Sequence, residues 1–391
     1  MKMPVDNLRP KPSILILYHC KSNTGYAIGT LEKAFWEAAL RVTDEISDVH
    51  LSYTSYHSGL PYYVPDSFKN VIKFDPKSSK NDELRYFYDY LVRNNVKLIF
   101  GFDQPPNRPY YKLARKAGVK KIISYYGAPM SSINSGIKLV IKKIYNKIIK
   151  YGPDFYVFES LGMQRTATHG RGILESKTAI CPIGIDTNKY CPDIQDIFYA
   201  HDLLGYSRNT KLIFYSGHFE ERKGISVIMA AANRLAEERS DFAFVLCGNT
   251  AQQAEKFGSE LTESAKEYVH FGGYREDLNR IHRSCYLGLI ASVGWDSFTV
   301  SSIEMQSSGL PLVLSDLLGL REAIVDGQTG KHFEPGNHSQ LASIISTLLD
   351  CPDEQARMAK NARERMLKEF SKETQIMRLT ELFDKNLAKI E

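Results

Sequence analysis

The chain has little that marks a metalloprotein, a disulfide scaffold or a membrane-spanning protein. Its six cysteines, Cys20, Cys181, Cys191, Cys247, Cys285 and Cys351, are scattered and form no CxxC pair, and none of the ten histidines stands at metal-ligand spacing. That argues against a zinc site or a disulfide framework and suits a reducing cytosol. No apolar run approaches the ~20 residues that cross a bilayer. Met1–Pro12 has no apolar leader core, so the expected location is cytoplasmic. No G-x-S-x-G elbow and no GxxxxGK[ST] loop occurs, which argues against a serine hydrolase or a P-loop NTPase. Charge of one sign is also scarce: 50 basic residues against 45 acidic ones leave a net charge of +5. That is too little for a dedicated nucleic-acid binder, though it admits an anionic ligand or an anionic membrane surface.

What is present is the composition and rhythm of a globular α/β protein. At 391 residues and 43% apolar content, the chain exceeds one ordinary core, and two or three domains are expected. Short buried runs alternate with longer amphipathic ones, the pattern of a parallel sheet wrapped by helices. Strands are expected at Ser13–Tyr18, Lys97–Phe100, Lys121–Tyr126, Asp154–Phe158 and Lys177–Cys181, with helices over Thr30–Leu40 and Tyr110–Lys116. A proline- and glycine-bearing break runs from Pro182 to Pro192. Beyond it come strands at Lys211–Tyr215, Phe242–Cys247, Val269–Phe271, Leu287–Ile290 and Leu312–Ser315. Helices are expected between them at Gly224–Arg239, Ser259–Tyr268, Glu276–Ser284 and Val300–Ser308, then at His338–Leu349, Asp353–Phe370 and Lys372–Leu387. Two nucleotide-fold halves result, and in such sheets the loops after the strands bind ligands.

Three of those loops could carry chemistry. After Leu287–Ile290, the stretch Ser292–Val300 opens a helix, so amides near Phe298, Thr299 and Val300 form an anion site at its positive end. Asp296 and, one turn beyond Val300, Glu304 suit the hydroxyls of a sugar or ribose. The plain structural alternative is that Asp296 caps the helix and Glu304 faces solvent. After Lys211–Tyr215, Gly217 lets backbone approach a ligand while His218, Arg222 and Lys223 offer positive charge to a diphosphate. Alternatively, Glu220 and Glu221 neutralise the basic pair in a solvated turn. After the first strand, Gly25 and Gly29 are not spaced as a dinucleotide fingerprint, and a tight turn explains them equally. Two further stretches stand out. Ile137–Lys150 carries five lysines and no acid among Ile, Leu and Val, as a helix lying on an anionic leaflet does, or as a helix packed on its sheet with snorkelling lysines does. The Tyr86–Tyr90 cluster reads as core and rim.

Taken together, the second-half loops resemble the retaining glycosyltransferases of family 4, whose pattern reads roughly E-G-F-G-L-x-x-x-E-A-M-A-x-G-x-P. Asp296, Ser297, Phe298, Thr299, Val300, Glu304, Met305, Gly309 and Pro311 stand in that register. Ser315-Asp316, Gly319, Glu322, Asp326-Gly327 and Gly330 resemble the pattern that follows it, and Pro182-Ile-Gly-Ile-Asp186 resembles the family's P-N-G-V-D. The resemblance spans about Pro182 to Gly330. It implies a GT-B fold, two Rossmann-like domains facing each other across a cleft. The first would cover 1–188, completed by 371–391 as the last helix crosses back, and the donor domain 189–370.

The same resemblance implies roles. Lys223, with Arg222 beside it and His218 where the family has arginine, would hold the donor diphosphate. The amides from Phe298 to Val300 would cradle phosphate and sugar, with Ser297 beside them in the binding loop. Asp296, one methylene shorter than the family's Glu, would bind donor-sugar hydroxyls, and Glu304 the ribose diol. Gly273 and Tyr274 stand where backbone meets the base, and Gly25 and Gly29 where the first-domain loop nears the phosphates. The family's first-domain histidine is missing: Gly101-Phe-Asp-Gln-Pro105 and Tyr125-Tyr-Gly127 stand in the plausible places, and Asp103 would substitute for it. Expected partners are a UDP- or GDP-sugar donor, a glycan or lipid-linked acceptor, and an anionic membrane face through Ile137–Lys150. No metal, cofactor or nucleic acid is implied. The alternatives are a non-catalytic sugar-nucleotide-binding partner of a glycosyltransferase complex and a sugar-nucleotide epimerase of the same fold.

Overall fold

The computed structural model describes residues 13–148 and 151–388. Met1–Pro12 and the end of the Ile137–Lys150 stretch therefore lie outside the described residues. The chain parts into two compact units, Met1–Pro182 with Gln375–Glu391, and Ile183–Thr374.

In the first unit, strands β1 (Ser13–Leu17), β2 (Val49–Tyr53), β3 (Val71–Lys73), β4 (Val96–Phe102), β5 (Lys121–Tyr126), β6 (Phe155–Phe158) and β7 (Thr178–Ile180) form one parallel sheet. Its order is β3-β2-β1-β4-β5-β6-β7. The helices between strands are α1 (Tyr26–Val42), α2 (Asn81–Arg93), α3 (Pro109–Lys116), α4 (Gly136–Ile148) and α5 (Leu161–Thr168). Because helices cover both faces, β1 and β2 are buried at every position, which is why Ile14–Leu17 of β1 reads as an unbroken apolar run.

The second unit repeats the plan with β8 (Lys211–Ser216), β9 (Phe242–Cys247), β10 (Val269–Gly273), β11 (Leu287–Ile290), β12 (Leu312–Ser315) and β13 (Gly330–Phe333). These pair in parallel in the order β10-β9-β8-β11-β12-β13. Helices α6 (Tyr199–Leu204), α7 (Ile225–Ala236), α8 (Ala251–Gly258), α9 (Leu278–Arg283), α10 (Val300–Ser307), α11 (His338–Asp350) and α12 (Pro352–Glu369) surround the sheet. The last helix, α13 (Lys372–Leu387), begins here and returns to the first unit, where Phe383 meets Phe100 edge-on at 4.8 Å. The return is pinned by Ile185, whose amide donates to the Phe370 carbonyl and whose carbonyl accepts from Lys372.

Several expected elements move. Helix α1 begins at Tyr26 with Gly25 as its cap residue, so Gly29 is helical rather than part of the loop. The helix expected over Ser259–Tyr268 lies earlier, at α8, where Thr250 and Gln253 make a reciprocal capping box. Only the short 3₁₀ turn Lys266–Tyr268 remains of the expected one. The tyrosine cluster belongs to α2, which buries Leu84, Phe87 and Leu91.

The order of each sheet reverses at one place, between β1 and β4 in the first unit and between β8 and β11 in the second. Loops that leave two strands in opposite directions open a crevice there, the usual ligand position of a doubly wound sheet. The loops carrying Gly25 and Asp103 follow β1 and β4, and those carrying Lys223 and Asp296 follow β8 and β11.

A buried acid sits beneath the first of these crevices. Glu32 on α1 is 1% exposed, and its Oε1 has no hydrogen-bond partner, nor do the hydroxyls of Tyr18 and Tyr53, whose rings stack at 5.0 Å. Burial pushes its carboxyl up from 4.5 to about 7. Between those values the folded state holds a proton that the unfolded state has lost, so stability falls as pH rises. The loss approaches about 3 kcal/mol above pH 7. Glu32→Gln is therefore expected to raise the melting temperature at pH 8 and leave it nearly unchanged at pH 4.5. Melting curves at the two pH values check this, and an equal shift at both would refute it.

Candidate functional site

In the second unit, the loops after β8 and β11 are spliced together by backbone. The amides of Val293 and Gly294 donate to the Arg222 carbonyl at 2.8 and 3.2 Å. Gly224 makes this approach possible: its φ is +70°, and a Cβ there would stand 1.9 Å from the Ala291 carbonyl oxygen. Across the splice, Lys223 Nζ donates to Asp296 Oδ2 at 2.6 Å, and Ser292 Oγ donates to the same oxygen at 2.6 Å. The Ser297 amide donates to Asp296 Oδ1 at 3.0 Å, and Arg222 stands 3.8 Å from that oxygen. Asp296 is 5% exposed, so its charge is held by these neighbours rather than by water. The Arg222 guanidinium lies over the Trp295 ring at 4.6 Å and pairs with Glu220 at 2.7 Å.

These contacts decide between the readings of the loops. Asp296 does not cap α10. Thr299 does, its hydroxyl accepting from the Ser302 amide at 3.3 Å. Glu304 is buried within α10 rather than facing solvent. Of the two acids beside Arg222 and Lys223, Glu220 pairs with Arg222, whereas Glu221 reaches out to Lys256 at 3.8 Å.

The start of α10 supplies donors. The Ser297 and Ser302 amides are committed, while those of Thr299, Val300 and Ser301 have no acceptor among the described residues. Phe298 is buried and stacks on Phe370 at 5.2 Å, which fixes the turn entering the helix. Gly217, Gly248 and Gly273 adjoin at the ends of β8, β9 and β10: a Cβ at Gly248 would come within 2.2 Å of the Gly217 oxygen, and the Gly248 amide donates to Gly273 at 2.7 Å. Asn249 Oδ1 accepts from the Gly273 amide at 2.9 Å, and Tyr274 is 82% exposed beside it. His218 is exposed, and its carbonyl accepts from the Tyr215 hydroxyl.

Gly25, Gly29 and Asp103 belong to the first unit. Nothing lies within 4 Å of a Cβ built on Gly25 or Gly29, so that end of α1 is open. Asp103 follows β4 with a left-handed φ of +46°, a conformation few non-glycine residues adopt. Its carboxylate accepts from the Gly127 amide at 3.0 Å. Burial raises the Asp103 carboxyl to about 6, with the charge of His19 working against the rise. His19, in the loop after β1, bonds through Nδ1 to the Phe102 carbonyl at 2.9 Å and stacks on the Phe102 ring. Sequence reasoning missed His19 as a site residue, and gave Ser292 and Trp295 a place in the loop without a role. Each sits immediately after or inside a switch-point loop, and that position was the available signal.

The fold is GT-B, shared over nearly its whole length with solved structures of low sequence identity. A glycosyltransferase from Rickettsia africae superposes with a TM-score of 0.77 at 17% identity, covering 97% of this chain and 99% of its own. Anabaena HepE, solved in complex with UDP, gives 0.75 at 17% identity over 95% of this chain and 100% of its own. Residues 204–365 match the family model of glycosyl transferases group 1, which places the Lys223 and Asp296 loops inside the matched region. Glycogen synthase of Mycobacterium tuberculosis is 28% identical over 165 residues, 41% of this chain and 39% of that protein. The MMP alpha-(1->4)-mannosyltransferase of Mycolicibacterium hassiacum is 26% identical over 213 residues, 54% of this chain and 49% of its own. The chain thus spans two fifths to one half of the length of these curated relatives.

Proposed function

We propose that this protein moves a hexosyl group from a nucleotide-diphosphate sugar onto a glycan or lipid-linked glycan, with retention of anomeric configuration as in family 4. The observation that carries the reading is the Lys223–Asp296 pair beside the open amides of α10 at a sheet switch point. An ammonium group and a helix N-terminus take up the charge of a departing diphosphate, so a metal is not required of the site. Asp296 Oδ1 keeps acceptor capacity for sugar hydroxyls, and Glu304 is assigned to the ribose. In the transfer step the bond from the anomeric carbon to the diphosphate breaks as the acceptor oxygen bonds to the same face. The donor phosphate takes the acceptor's proton. Asp103, whose carboxylate is an acceptor, is assigned to orienting the acceptor hydroxyl rather than to taking its proton. Similar proteins named for mannosyl and galactosyl transfer, and the UDP and UDP-glucose complexes of the Anabaena neighbour, support a sugar nucleotide as donor.

Calorimetric titration with a panel of UDP- and GDP-sugars tests this. One member is expected to bind and, with a suitable acceptor, to release its nucleoside diphosphate. Absence of binding across the panel would refute the proposal. Binding without turnover would favour a non-catalytic partner, and a changed sugar without acceptor would favour an epimerase. We assign α4 to an anionic membrane face on its exposed apolar side chains, and so place the protein peripherally at the inner face of a membrane.

A further inference from the structure

A groove of about 720 Å³ opens between α2 and α3 in the first unit, within the size range of small-ligand sites. Four cations line it, Arg85 from α2, Arg108 from the preceding loop, and Lys112 and Lys116 from α3, and no carboxylate does. None of the four makes an ion pair among the described residues, although neighbouring Arg115 pairs with Asp154. The arginines at 239, 275, 280, 283 and 321 likewise find carboxylates. Four cationic residues lining one groove with no carboxylate among the lining give it an unbalanced positive field, which favours an anion. Arg108 is half-buried, and its Nε is buried without a hydrogen-bond partner. Tyr88 and Tyr151 also line the groove.

From this we infer that the groove binds a phosphate-bearing group, a phosphomonoester or phosphodiester, separately from the candidate donor site of the second unit. Guanidinium forks match the paired oxygens of a phosphate, and flexible lysines add charge without fixing geometry. The phosphate has two sources, an anionic lipid headgroup or a soluble phosphorylated compound. Tyr151 follows α4 closely in the chain, and its carbonyl accepts from the Asn107 amide at the groove. The lipid source therefore rests on the membrane assignment of α4, whereas the soluble source does not.

The test uses the full chain and its Arg108→Gln/Lys112→Gln variant, with Lys189→Gln as a control outside the groove. One arm titrates glycerol 3-phosphate and follows amide shifts by NMR. The other measures sedimentation with vesicles of phosphatidylcholine alone or with 30 mol% phosphatidylglycerol (about one anionic lipid in three). A roughly tenfold or greater loss by the double variant in the first arm establishes the soluble source. A comparable loss confined to the phosphatidylglycerol vesicles establishes the lipid source. Equal behaviour of variant and wild type in both arms overturns the inference. Failure of α4 to bind membranes would abolish all vesicle binding and leave the soluble arm to decide.

Discussion

Replacing Lys223 by alanine is expected to lower kcat/KM for sugar transfer by about 10²–10³-fold, the usual cost of deleting one preorganised charge stabiliser. The argument rests on where the ammonium is held. It is tethered 2.6 Å from Asp296 at the mouth of α10, with side-chain exposures of 14% and 4% for the two partners. In such a dry setting a cation needs little reorganisation to meet the charge that develops on a leaving diphosphate. The same burial creates a confounding effect. Without Lys223, the Asp296 carboxylate keeps the Ser292 hydroxyl and the Ser297 amide but loses its closest cation. Stranding a buried charge costs about 3–5 kcal/mol at worst, so a weakened fold lowers the measured activity alongside the chemistry. A second variant separates the two. Lys223→Ala/Asp296→Asn removes both charges and should recover most of the melting temperature while transfer stays low. Nucleoside diphosphate release and thermal melts on the same preparations read both quantities. A Lys223→Ala protein within threefold of wild-type turnover would end the assignment.

Much of this arrangement was legible in the sequence because glycine, proline and polar residues punctuate the junction of a buried strand with a helix. Phe242–Cys247, Leu287–Ile290 and Leu312–Ser315 end where their apolar runs end, and Lys223 and Asp296 stand in the loops that follow. The exact partner of Asp296 was not legible, because the bond to Lys223 joins residues 73 positions apart and depends on β8 and β11 being neighbours. Strands β2, β3 and β13 escaped because polar residues interrupt them, as His50 and Ser52 do in β2 and Lys331 and His332 in β13, leaving no unbroken apolar run. The α8 shift had a readable cause, since Thr250-x-x-Gln253 is a capping signal that the apolar pattern outweighed. His19 and Asp103 were obscured differently: their coupling arises from two loops 84 residues apart meeting at the β1–β4 switch point. Helical spacing also says which side chains share a face, never what that face meets. On α4 that distinction reverses the ordinary expectation.

A helix of an α/β unit normally turns its apolar side inward, and α4 does not. Its half-buried positions include Lys142 and Asn146, and Asn146 donates to the Gly172 carbonyl. Ile137, Val140, Ile141, Ile144, Tyr145 and Ile148 are exposed instead, Ile137 at 80%. These exposed side chains do not fit a helix packed by its apolar side on the sheet, and the proposed membrane face is what would cover them. Lys138 and Lys143 are exposed on the same helix, as suits a helix resting among anionic headgroups. Ile137→Ser/Ile141→Ser/Ile144→Ser should lower partitioning onto vesicles containing phosphatidylglycerol by roughly 10²-fold, taking about 1 kcal/mol for each partly immersed side chain. Because these side chains touch water rather than the core, the melting temperature should hold, the change in stability staying within about 0.5 kcal/mol. Raising salt should weaken the lysine contribution and spare the apolar one, so the gap between wild type and variant should persist at high ionic strength. Flotation gradients run with both proteins at low and high salt measure it. Equal flotation of the two would mean that the exposed isoleucines meet something other than lipid.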